Sequence, residues 1–127
     1  NVIVFGSNST IAKSVINKLA LENCNFYFFA REKNQLELQI NDLKVKYPGI
    51  NVSAEVYDAL VDGGKILEDK IGQAFEHLGR VDLVFIAHGN LPHQATCEDS
   101  WQDASDALRV NGLSVIEICH NVVRRLK

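Results

Sequence analysis

The sequence predicts an α/β fold, a doubly wound parallel sheet with flanking helices. Three features carry that expectation. Short apolar runs alternate with segments of helical period, the pattern of strand–helix–strand units. The first run, Val2-Ile3-Val4-Phe5, is unbroken in β-branched and aromatic residues and reads as a strand buried on both faces. Gly6 breaks it, and a helical period follows at Ile11, Val15, Ile16 and Leu19.

The other elements follow in order. Asn25 to Ala30 is a second strand, dense in aromatics, with Arg31 at its tip. A helix with Leu36, Ile40 and Leu43 on one stripe stops before Pro48-Gly49. Ile50 to Tyr57 makes a third strand ending at Asp58, and residues 62 to 78 a third helix with Ile66, Leu67, Ile71, Phe75 and Leu78 inward, closed by Gly79. Val81 to Ala87 is a fourth strand running into the breaker-rich loop His88-Gly89-Asn90-Leu91-Pro92. A polar stretch around Trp101 leads into a last helix from about Ser105 onward. Right-handed crossovers and the usual doubly wound order place the strands as 3-2-1-4.

At 127 residues the chain is one domain, with no repeats, linkers or low-complexity tracts. Its net charge of −3 leaves no basic footprint, which argues against nucleic acid or an anionic membrane as partner. No apolar run approaches the roughly 18 residues of a membrane span, and no charged-then-apolar leader is visible. Cys24, Cys97 and Cys119 are an odd, scattered set with no metal or redox spacing, so reduced thiols and a cytoplasmic location are expected. His88, His93 and Cys97 offer no fourth ligand nearby, so no metal site is expected.

The turn from the first strand into the first helix is where chemistry is expected. A helix N-terminus there aims its free N–H groups and positive dipole end at the turn, which favours a phosphate. An ordinary strand-to-helix turn capped by Ser9 or Thr10 has the same pattern. The spacing resembles the Gly-x-x-x-Gly-x-Gly loop of the short-chain dehydrogenase/reductase family, with Gly6 kept and Thr10 and Ala12 in the other two glycine positions. The resemblance covers essentially all 127 residues and implies a Rossmann-type domain that binds a nicotinamide dinucleotide. Gly6, Asn8, Ser9, Thr10 and Ile11 are then expected at its pyrophosphate. The β-branched Thr10 would push the cofactor slightly outward or contact it through the hydroxyl.

Ligands in such sheets bind at the carboxyl ends of the strands. Arg31, with no carboxylate at that tip, suits a ribose 2′-phosphate, which favours NADP (NADPH) over NAD. Pairing of Arg31 with Glu32 or Glu55 is the alternative. The resemblance gives Asp58 the adenine amino group and sets Ala59 against the ring; a plain Asx turn also explains Asp58. Ile86-Ala87-His88-Gly89 stands where the family usually has Asn-Asn-Ala-Gly, which puts Ala87, His88 and Gly89 beside the cofactor. His88 either hydrogen-bonds a ribose or phosphate or reshapes the loop. The run from Ala87 to Pro92 also resembles a subgroup that acts on a keto sugar carried on a polyprenyl phosphate. In Val110-Asn111-Gly112 the family places a catalytic asparagine, at a helix distortion where its carbonyl holds a water beside the catalytic lysine; a polar surface residue is the alternative for Asn111.

The family's Tyr-x-x-x-Lys pair is missing: four residues after Tyr27, Tyr47 and Tyr57 stand Arg31, Asn51 and Val61. The chain opens on its first strand with Asn1 and no initiating Met, so trimming at that end is expected. It is further expected to be the cofactor-binding half of a domain of about 250 residues, truncated before the catalytic Ser and Tyr-x-x-x-Lys. An apolar fourth strand left as an edge, and a last helix apolar beyond one stripe, agree with that and with a homodimer or homotetramer formed through the last helix. The leading function is an NADP-dependent oxidoreductase transferring hydride to or from a small-molecule carbonyl or alcohol. The alternative is a non-catalytic NAD(P)-binding sensor or scaffold. A phosphoacceptor receiver domain is excluded, since Gly6-Ser7-Asn8 stands where its metal-holding acids belong.

Overall fold

The computed structural model describes residues 1–126. Four parallel strands, β1 (Val2–Phe5), β2 (Phe26–Ala30), β3 (Val52–Val56) and β4 (Leu83–Ile86), form one sheet in the order β3-β2-β1-β4, as the crossover rules require. Val4 pairs with Phe28 on one side and Phe85 on the other. The helices are α1 (Thr10–Leu21), α2 (Lys33–Lys46), α3 (Lys65–Leu78), α4 (Gln94–Asp99), α5 (Trp101–Leu108) and α6 (Ser114–Val123); a π-helical turn, Arg109–Leu113, joins the last two.

Strand alternation sends side chains to two separate cores. Val2, Val4, Phe26 and Phe28 meet Ala12, Ile16, Ala20, Leu36 and Leu43 of α1 and α2. On the opposite face Ile3, Phe5, Tyr27 and Phe29 meet Leu67, Ile71 and Ala74 of α3 with Ile118 and Val122 of α6. Phe5, Phe26, Phe28 and Phe29 are fully buried, each worth roughly 1.5–3 kcal/mol of transfer free energy. A ladder of asparagines stitches the opposite end of the sheet. The Asn25 amide donates to Asn1 Oδ1 (3.0 Å) and its carbonyl accepts from Asn51 N (2.9 Å).

Several expected elements shift. α1 packs through Ala12, Ile16 and Ala20, while Ile11 is 71% exposed; the two alanines let the helix lie close to the sheet. Likewise Ile66 lies outward (51% exposed) and Ala74 takes an inward place on α3. That helix begins at Lys65 rather than residue 62, because Gly64 adopts φ +60, a left-handed backbone that no α-helix continues. The polar stretch around Trp101 is helical: Ser100 Oγ accepts from Asp103 N (3.3 Å) and caps α5. What was expected as one last helix from about Ser105 is α5, the π turn and α6. Among the described residues no helix is long and apolar enough to cross a membrane.

Candidate functional site

A cleft runs across the carboxyl ends of all four strands, and most of the expected site residues meet in it. Gly6, Asn8, Ser9, Arg31, Asp58, Ala59, Ala87, His88 and Gly89 line it. Thr10, Ile11 and Asn111 stand outside that lining. Phe29, Tyr57, Leu60, Asn90 and Val110 line it as well, and sequence reasoning had not singled them out.

Gly6 is required twice over. Its φ of +75 disfavours any side chain, and a Cβ there would lie 2.5 Å from the backbone nitrogen of His88. The tips of β1 and β4 therefore touch backbone to backbone. Ser9 caps α1, its Oγ accepting from Ala12 N at 3.1 Å. As the first two helical residues, Thr10 and Ile11 are left with amide groups that have no intrahelical acceptor. Those donors and the dipole end present an anion-binding mouth at the edge of the cleft.

Arg31 is exposed at the tip of β2, and among the described residues it forms no ion pair. Glu55, one of its possible partners, is taken by Lys70 at 2.7 Å. Asp58 does make the Asx turn, its Oδ1 accepting from Leu60 N at 2.9 Å. Its backbone N–H donates to Asp62 Oδ2 (2.8 Å), which fixes the loop. The other carboxylate oxygen of Asp58 has no hydrogen bond within the described residues, so turn and ligand roles are compatible on one side chain.

The floor beneath β4 is polar and neutral. Ser114 Oγ lies 2.8 Å from both the Val110 carbonyl, to which it can donate, and His88 Nε2. Among the described residues His88 Nδ1 is buried with no hydrogen-bond partner. Burial lowers the pKa of the imidazole, and burial also pushes the Tyr57 phenol up to about 12. The two rings meet edge to face at 5.8 Å. Of the two roles weighed for His88, the Ser114 contact engages Nε2 and leaves Nδ1 for the other. No spacing in the sequence pointed to Ser114.

Asn111 lies in the π turn, where Ser114 N reaches back five residues to Arg109 O. Its carboxamide grips the loop after β4, Nδ2 donating to the carbonyl of Asn90 (2.9 Å) and Oδ1 accepting from Asn90 N (2.8 Å). A Cβ on Gly89 would come within 3.0 Å of that Oδ1, so Gly89 is small where Asn111 passes. Among the described residues no group of three His, Cys, Asp or Glu side chains is placed to hold a metal ion.

A parallel sheet of this order with its cleft at the reversal of strand order defines a Rossmann-type domain. The chain belongs to the short chain dehydrogenase family, whose model matches residues 1–127. No curated protein sequence matches it. Among solved structures, a Serratia marcescens short-chain dehydrogenase/reductase superposes with TM-score 0.85 at 23% identity, covering 99% of this chain and 50% of that one. An L-sorbose reductase from Gluconobacter frateurii, described in complex with NADPH and L-sorbose, gives 0.83 at 18% identity, with 97% and 46% covered. An NADPH-bound short chain oxidoreductase from Pseudomonas aeruginosa gives 0.81 at 22%, with 98% and 48% covered. At these identities the likeness is one of fold. The chain spans about half the length of each of these structures.

Proposed function

We propose that these 127 residues are the cofactor-binding half of an NADP-dependent oxidoreductase. When bound, NADPH would supply hydride to a small-molecule carbonyl, and NADP+ would accept hydride from the corresponding alcohol. The observation that carries this reading is that Arg31, without an ion pair among the described residues, lines the same cleft as Asp58 and the Gly6–Ser9 turn that leads into α1. Thr10 and Ile11 N–H groups would hold the pyrophosphate, Arg31 a 2′-phosphate in a bidentate pair, and the spare Asp58 oxygen the adenine amino group. Thr10 adopts ordinary helical backbone and points outward, so its side chain leaves the amides reachable. Ala59, Ala87 and Gly89 supply small surfaces beside the dinucleotide.

The reading places the catalytic Ser and Tyr-x-x-x-Lys outside these residues and gives Asn111 the role of holding a catalytic water through its carbonyl. The π turn at Asn111 supports that role, since such a turn frees carbonyls from the helical ladder. The substrate is a small molecule, with a keto sugar as the candidate drawn from the Ala87–Pro92 run. Oligomerisation through the last helix fits the outward Leu113, Ile116 and Val123, which are 57–69% exposed. A cytoplasmic location fits three free cysteines, with Cys119 on the surface.

Titration with NADPH and NADH tests the cofactor. Native protein binds NADPH more tightly, and Arg31→Ala weakens NADPH by roughly 10- to 100-fold, the value of a charged hydrogen-bond pair, while NADH changes little. An unchanged preference in Arg31→Ala would overturn the 2′-phosphate role. The sensor alternative is separated by turnover: NADPH binding by the whole protein with no carbonyl reduction would favour it.

A further inference from the structure

We propose that Arg109 is a positioning residue for the adenine end of the cleft, its guanidinium fixing the 58–64 loop on which Asp58 and Ala59 sit. This deepens the dinucleotide reading and rests on it. The loop between β3 and α3 holds itself together by the Asp58 turn and the Asp62 contact. Further contacts reach it from the π turn and α6. Arg109 Nε donates at 3.2 Å to the carbonyl of Ala59, the residue expected against the adenine ring. Its Nη2 lies across Gly63, and its partner Glu117, 3.8 Å away, accepts from Gly64 N.

Gly63 supplies an independent observation. Its backbone lies outside the left-handed region, unlike Gly6, Gly64 and Gly79, so chain conformation does not demand glycine there. A Cβ on Gly63 would instead displace Arg109 Nη2, the end of a flexible side chain. The missing side chain makes room for the guanidinium. Arg109 is also the first residue of the π turn whose Asn111 grips Asn90. One short turn thus ties down the loops at both sides of the cleft, and the adenine loop takes its shape from the segment that carries Asn111.

The test is a double-mutant cycle on Arg109 and Gly63, read by equilibrium binding of 2′,5′-ADP, which probes the adenine end alone. Arg109→Gln should weaken binding about tenfold, and Arg109→Lys should recover most of that loss. Gly63→Ala, which unseats the guanidinium without changing any charge, should weaken binding to a similar degree. On the Arg109→Gln background the alanine should add little. Native affinity in Arg109→Gln, or a Gly63→Ala loss that persists in full without the arginine, would overturn the proposal. Should Arg109→Gln lose its cooperative melt, Gly63→Ala alone decides: unchanged affinity there refutes it. Failure of the native protein to bind 2′,5′-ADP would instead bring down the dinucleotide reading itself.

Discussion

β3 and β4 each pair on one side only and are similarly half-exposed, yet their side chains follow opposite rules. β3 reads Val-Ser-Ala-Glu-Val and finishes its edge with polar contacts, Ser53 to His77 at 2.8 Å and Glu55 to Lys70 at 2.7 Å. β4 reads Leu-Val-Phe-Ile, has no polar side chain, and leaves Leu83 39% exposed. Polar and charged groups on an edge discourage pairing with another chain; an apolar edge invites it. β3 has the chemistry of a true sheet margin, and β4 has that of an interior strand. The same contrast recurs in two Ser–His pairs of equal length. Ser53–His77 is exposed on the β3 side, whereas Ser114–His88 is sheltered under the tip of β4.

Four tests should break or sharpen this contrast, and the largest effect falls where β4 meets the centre. Gly6→Ala forces a Cβ into the His88 backbone at a positive φ, and neither chain can yield cheaply. A loss of about 3–5 kcal/mol is expected by urea denaturation, and a loss under about 1 kcal/mol would show that the contact relaxes. Next, Ser114→Ala strands His88 Nε2 and the Val110 carbonyl in a buried site and should cost roughly 1–3 kcal/mol. Ser53→Ala breaks an exposed pair of the same length and should change stability by less than about 0.5 kcal/mol. Equal costs would erase the distinction between the two sides.

The third concerns pH. Burial lowers the His88 pKa below its ordinary 6.5, so the unfolded chain takes up a proton there more readily than the folded one. The His88 contribution is therefore intact above pH 6.5 and is lost as pH falls from there toward the folded pKa. The melting temperature should decline across that window, and His88→Gln should flatten the decline; an equally steep fall in that variant would place the titration elsewhere. The last test falls at the β4 edge itself. Leu83→Lys should alter folding by less than about 1 kcal/mol but reduce self-association of the 127-residue chain in sedimentation velocity. Unchanged association would mean that the β4 edge is not the adhesive surface.

How much of this was legible beforehand depends on how far each signal is local. β1 and β2 are continuous apolar runs, and the crossover rule converts alternating elements into strand order, so the sheet could be written down from the residues. The strand tips followed, and with them Arg31, Asp58 and Gly6. Helix faces were less secure: Ile11 outweighs Ala12 in hydrophobicity, but close helix–sheet packing favours the alanine. The start of α5 carried a readable sign, Ser100 with Asp103 three residues on, which was passed over because the segment is polar. The π turn was signalled only by the resemblance of Val110-Asn111-Gly112, which implies a helix distortion there. Its role as a junction, through Arg109, Asn111 and Ser114, depends on side chains meeting loops 21 to 50 residues away in sequence. That information lies in the tertiary structure alone.

The most direct measurement is amide chemical-shift mapping of the native protein on addition of NADPH. The account predicts perturbations at Gly6 to Ala12, at Arg31, from Asp58 to Leu60 and at His88 to Gly89, with the groove between α1 and α2 silent. Perturbations confined to that groove, or none at saturating NADPH, would contradict a dinucleotide lying across the strand tips.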